Sequence, residues 1–142
     1  MERHLWLVVI LAGAAMAWGF STNGGLSWSE LLILIGVALI AWWMSPYSYG
    51  ISKKHGAIMS LPEEQRRVVV YWRPGCIFCQ RLRGGLGNDA KRVQWVNIWQ
   101  DAEAAEFVRQ HNDGNETVPT VVIDGEVHTN PDPRLVRDAL AA

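Results

Sequence analysis

The sequence predicts a small α/β domain preceded by a transmembrane helical hairpin. Three observations predict it: the placement of the charges, two long uncharged runs, and an alternation of strand and helix signals after them. Of 13 Lys and Arg and 14 Asp and Glu residues, only Glu2, Arg3 and Glu30 fall within positions 1–50. A formal net charge of −1 with no basic cluster excludes nucleic acid as the expected partner, because phosphate binding needs concentrated Lys and Arg. Two cysteines three positions apart exclude a multi-disulfide scaffold and a four-cysteine zinc site.

Leu5 to Phe20 and Leu31 to Met44 carry no charge and are apolar on all sides. With their uncharged flanks each reaches the roughly 20 residues that a bilayer core of about 30 Å requires. Buried core helices are the competing reading, but the remaining residues suffice for one small domain and not for sheathing two such helices as well. Trp6, Trp18, Trp28, Trp42 and Trp43 lie near the ends of the runs, where an indole buries its ring and keeps its N–H wet. Ala12, Gly13 and Ala17 would let the helices approach closely. Arg3 precedes the first run, Lys53, Lys54, Arg66 and Arg67 follow the second, and the loop between has no Lys or Arg. The positive-inside tendency therefore places both termini and the later domain in the cytoplasm. A signal peptide cut after Ala17 competes, but Arg3 beside Glu2 makes a weak basic region. Positions 1–50 are thus expected to be a two-helix anchor and 51–66 a linker. The stretch from Ser45 to Glu64 spans at most about 70 Å if extended, and its Lys53-Lys54 suits anionic headgroups. His55 is expected to be solvated.

Positions 67–142 form the predicted domain. Val68-Val69-Val70-Tyr71-Trp72 reads as a buried strand. Ile77 to about Asn88 reads as a helix weakened by Gly84, Gly85 and Gly87, and Val93 to Trp99 as a second strand with Trp95 and Trp99 on one core face. Asp101 caps a helix carrying Ala104, Phe107, Val108 and His111, ending near Asp113-Gly114, with Glu103 and Glu106 on its solvated face and His111 closing its apolar one. Thr120–Ile123 and Glu126–His128 flank Asp124-Gly125, a two-residue hairpin signal, and Asp132-Pro133 starts a closing helix. A right-handed crossover makes the first two strands parallel and the hairpin adds an antiparallel edge, giving three layers.

Cys76-Ile77-Phe78-Cys79 lies where the first strand hands over to the first helix of this domain. A thiol there faces unpaired N–H groups and the positive end of the helix dipole, which stabilise a thiolate. Cys79, one turn further in, is more sheltered, so Cys76 is expected to attack and Cys79 to resolve. Half of a metal site is the alternative, but the four histidines are scattered and no metal is expected. A pair of inert core thiols has no reason to sit at that junction. Arg73 adds a positive charge that favours the thiolate or holds a substrate carboxylate. In Thr117-Val118-Pro119-Thr120 the proline is either an ordinary strand start or cis, and the cis form would leave the Val118 backbone facing an extended ligand.

Residues Trp72 to Cys79, the Thr117-Val118-Pro119 run and the strand-helix order resemble a glutaredoxin, with the βαβαββα fold of the thioredoxin-like superfamily. Ala104 to Val108, Asn115, Thr117 to Val121, Asp124-Gly125 and Thr129-Asn130-Pro131 resemble, in order and spacing, the actinobacterial mycoredoxins. The likeness covers roughly positions 67–142. It implies reduction of mixed disulfides between proteins and mycothiol, a co-substrate rather than a bound cofactor, with Arg73, Thr117, Val118 and Pro119 contacting the bound thiol. The glutathione-using branch carries Gly-Gly and then Asp after its hairpin. This chain has His128-Thr129-Asn130-Pro131-Asp132 there, so mycothiol is expected over glutathione. Its expected partners are disulfide-bearing or S-thiolated proteins, some at the membrane, and the bilayer itself. A thioredoxin-like dithiol reductase fed by a flavoprotein, and a non-catalytic module of a membrane complex, are the rival readings.

Overall fold

Two uncharged runs followed by a strand-helix alternation produce two compact units, Met1–Tyr49 and Gly50–Ala142, in the computed structural model, which describes residues 4–22 and 27–142. Glu2 and Arg3, on which part of the orientation reading rests, lie outside the described residues.

In the first unit, α1 (Leu5–Thr22) and α2 (Trp28–Met44) pair along one stripe. Half-buried Trp6, Val9, Gly13, Ala17 and Phe20 of α1 form that stripe, whereas Ala12 is exposed. Gly13 is there for lack of a side chain: a Cβ would sit 2.9 Å from Val37 Cγ1. The start of α2 is fixed by a capping box, in which the Ser27 N–H donates to Glu30 Oε2 at 2.7 Å and the Glu30 N–H to Ser27 Oγ at 3.4 Å. Every α1 side chain leaves surface uncovered, and Leu11, Trp18, Leu32 and Leu39 are largely exposed. By length and composition α1, with 18 residues, suffices to cross a membrane; α2, equally apolar, has 17.

The second unit is a four-stranded sheet of order β2-β1-β3-β4 between two helical layers. Strand β1 (Val68–Trp72) pairs parallel with β2 (Gln94–Asn97), with Val70 opposite Trp95, and antiparallel with β3 (Thr120–Ile123), with Val70 opposite Val121. The hairpin partner β4 (Glu126–Thr129) closes the edge. Alternation along β1 splits the core. Val68 and Val70 face Leu82 and Leu86 of α4 (Ile77–Leu86) and Val136 and Leu140 of α6 (Pro133–Ala141). Val69 and Tyr71 face Ala104, Ala105 and Val108 of α5 (Ala102–Gln110).

Several sequence expectations need correction. The α4 helix stops at Leu86, where Gly87 turns out at φ 55°, and a 3₁₀ turn follows. The second strand ends at Asn97, so Trp95 and Trp99 do not share a face: Trp95 packs on the α4/α6 side, Trp99 on the α5 side. Residues 51–66 are not a free linker. Within them α3 (His55–Met59) docks on the α5 side and buries Ile58 to 1% exposure. Ser52 Oγ accepts from the Asn97 N–H at 2.8 Å, the Ser52 N–H donates to Gln100 Oε1 at 2.8 Å, and Lys53 Nζ donates to Gln94 Oε1 at 2.8 Å. Lys54 Nζ donates to the Gln100 carbonyl. His55 is not a solvated side chain. Its N–H donates to Asp101 Oδ2 at 2.6 Å, its Nδ1 lies 2.8 Å from the Tyr71 hydroxyl, and its ring packs 5.2 Å from that of Phe107. Two buried polar partners and one large aliphatic side chain hold this segment, and no periodic pattern announces them.

Candidate active site

Strand β1 delivers the chain at Trp72 into a tight connection whose last residue, Gly75, has φ 75°, a conformation open to glycine. Cys76 is then the N-cap of α4, and its Sγ accepts the Cys79 N–H at 3.1 Å. A sulfur so placed receives one direct N–H bond and sits over the positive helix end. The Val118 carbonyl, 3.4 Å from the same sulfur, opposes ionisation. In the reduced protein that N–H group and the helix end would both favour a thiolate at this position.

The two cysteines form a disulfide, their Cα atoms 5.3 Å apart. Cys76 is partly exposed while Cys79 is 3% exposed, so of the two residues the first is the one that meets solvent. Ile77 and Phe78 between them project outward at 70% and 49% exposure, with the Arg81 guanidinium 6.0 Å from the Phe78 ring.

The bond between Val118 and Pro119 is cis, so of the two readings of Pro119 this is the one adopted. Val118 is buried, with its carbonyl 3.4 Å from Cys76 Sγ. Thr117 is exposed, its carbonyl accepting from Thr120 Oγ1 at 2.8 Å, and the Pro119 carbonyl accepts from the Asn130 N–H at 2.8 Å. Arg73 lies with its guanidinium 5.8 Å from the Trp99 ring.

Sequence reasoning missed the residues that hold this loop. Asn112 Nδ2 donates to Thr120 Oγ1 at 3.0 Å and its Oδ1 accepts from Thr129 Oγ1 at 2.6 Å, tying the end of α5 to β3 and β4. Arg109 Nη1 donates to Glu116 Oε1 at 2.6 Å on the same stretch. An Asn after a helix reads as an ordinary stop, so the only signal was its distance from the Thr-Val-Pro run. Trp99 packs against the core on the α5 side, as expected, and the Arg73 guanidinium also lies over its ring. Among the described residues no three His, Cys, Asp or Glu side chains cluster as metal ligands.

The profile of the glutaredoxin family matches residues 68–128. Mycoredoxin 1 of Corynebacterium glutamicum is 42% identical over 65 residues, which are 45% of this chain and 80% of that relative. A Mycobacterium tuberculosis protein provisionally named a glutaredoxin is 40% identical over 65 residues, 45% of this chain and 77% of that relative. A thioredoxin-like sheet, a Cys-x-x-Cys pair capping the helix after β1, and these relatives agree: the chain belongs to the glutaredoxin family of thiol-disulfide oxidoreductases.

Proposed function

We propose that the protein is a membrane-tethered reductase of mixed disulfides between proteins and a low-molecular-weight thiol, mycothiol rather than glutathione. The observation that carries the reading is the contrast at the disulfide, where the cysteine at the helix N-terminus is partly exposed and its partner is buried. In the reduced protein the Cys76 thiolate attacks the small-thiol sulfur of the mixed disulfide. The client leaves as a thiolate and takes up a proton, and Cys76 is left bonded to the small thiol. A second molecule of that thiol, as thiolate, attacks the bound one and releases Cys76 and the symmetrical small-thiol disulfide. For a client with an internal disulfide, Cys79 attacks the Cys76–client bond and forms the pair seen here.

Arg73, Thr117, Val118 and Pro119 are the residues that receive the small thiol. The Val118 backbone runs beside Cys76, and Arg73 supplies a cation for a carboxylate. Preference for mycothiol draws on the likeness to mycoredoxin 1 and on the stretch after β4, where Asn130 adopts φ 49° and Asp132 Oδ1 accepts the Arg134 N–H at 2.8 Å as the cap of α6. That carboxylate is engaged in the fold.

Tethering draws on the uncovered apolar surface of α1 and α2; in this proposal the two helices cross the membrane as a hairpin and the distribution of Lys and Arg puts the redox domain in the cytoplasm. Labelling Cys76 in intact cells with a membrane-impermeant thiol reagent tests the orientation: no labelling until the cells are opened is expected, and labelling from outside overturns it. Turnover of an S-mycothiolated protein with mycothiol, and none with a flavoprotein reductase alone, is the expected donor profile; the reverse profile replaces mycothiol as donor.

A further inference from the structure

We propose that the clients of this enzyme are disulfides lying close to the bilayer surface, on membrane-embedded proteins. The inference deepens the proposed function and rests on its tethering part. Its basis is the docked segment after Tyr49. Ser52, Lys53 and His55 are hydrogen-bonded to Gln100, Gln94 and Asp101, and Ile58 is fully buried, so the chain from Gly50 onward moves with the domain. What joins α2 to the domain is then only residues 45–49. Five residues reach at most about 18 Å, against about 70 Å for the twenty that composition assigned to a linker. Turn hydrogen bonds, Ser45 N–H to the Trp42 carbonyl at 3.1 Å and Ser48 N–H to the Ser45 carbonyl at 3.2 Å, shorten it further.

The attachment point matters as much as the length. Gln100 Nε2 donates to the Gly50 carbonyl at 2.8 Å. Two residues earlier the Ile98 N–H donates to the Trp72 carbonyl at 3.0 Å, and Trp72 leads directly into Arg73 and Cys76. The tether therefore joins the domain at the end of β1 and β2 that carries the reactive sulfur, and the length of the domain adds little to the reach of Cys76. A disulfide near the lipid meets that sulfur at high effective concentration, whereas one held far above it does not.

The test uses the full chain in lipid vesicles, supplied with a regenerating thiol, and two single-span peptides each bearing one S-thiolated cysteine. In one peptide the cysteine sits at the membrane surface. In the other it tops a helical spacer of Glu-Ala-Ala-Ala-Lys repeats about 60 Å tall, at about 1.5 Å per residue. The surface cysteine should be reduced at least about tenfold faster. Inserting about twenty Gly and Ser residues between Tyr49 and Gly50 should bring the two rates within about twofold, with turnover of a soluble S-thiolated peptide unchanged. Equal rates on both peptides with the native chain overturn the proposal. A chain that fails to float with the vesicles instead overturns membrane tethering itself.

Discussion

At the scale of single residues, access and placement at the helix N-terminus separate the two cysteines. Cys76→Ser should reduce turnover to background with every disulfide substrate. Cys79→Ser should keep reduction of small-thiol mixed disulfides and lose reduction of internal protein disulfides, as stopped-flow assays on the two substrate classes can show. Tyr71 gives a test of stability. Burial, and after it the charge of Asp101, pushes its phenol well above the ordinary range. The unfolded chain ionises that phenol near pH 10 while the folded one resists, so the contribution is intact below about pH 10 and is lost as pH rises beyond it. Urea midpoints of Tyr71→Phe should therefore fall less steeply above about pH 10 than those of the native chain, from a neutral-pH stability lower by about 0.5–1.5 kcal/mol for the lost His55 bond. The cysteine pair and the Thr117-Val118-Pro119 run were legible because their chemistry sits in a short motif. The Arg73 contact of Trp99 and the role of Asn112 were not, since each joins residues distant in sequence, Trp99 with Arg73 and Asn112 with Thr129.

Among the elements, α4 shows what its glycines are for. Sequence composition predicts only that Gly84 and Gly85 weaken the helix. In the fold, a Cβ on Gly85 would lie 2.6 Å from Pro133 Cβ, so the missing side chain lets the start of α6 close on α4. Gly85→Ala should consequently lower stability by about 1–3 kcal/mol despite its better helix propensity, as read by denaturant unfolding. An unchanged or raised midpoint would mean that α6 shifts freely. The strands and helices of the domain were readable because each carries a period or a cap: Asp101 and Asp132 do cap α5 and α6 through the Glu103 and Arg134 N–H groups. Helix α3 has five residues and no side-chain cap, too short to display a period, and so it passed for linker.

For the molecule as a whole, the boundary of the redox domain moves toward the N-terminus. A fragment beginning at Gly50 should be more stable than one beginning at Arg67 by at least about 3 kcal/mol, because the shorter one loses a fully buried Ile and leaves the Asp101 and Tyr71 partners of His55 unmet. Equal unfolding midpoints would show that the segment merely rests on the surface. The docked Ser52 has one more consequence. By binding the Asn97 N–H and, at 3.3 Å, the Trp95 carbonyl, it occupies backbone groups along the outer border of β2. A bare border of that kind invites strand-to-strand adhesion between copies, a hazard that grows where proteins are confined to two dimensions. Among the described residues, covering it leaves β4 as the open margin of the sheet, with Glu126 and Thr129 exposed at its two ends.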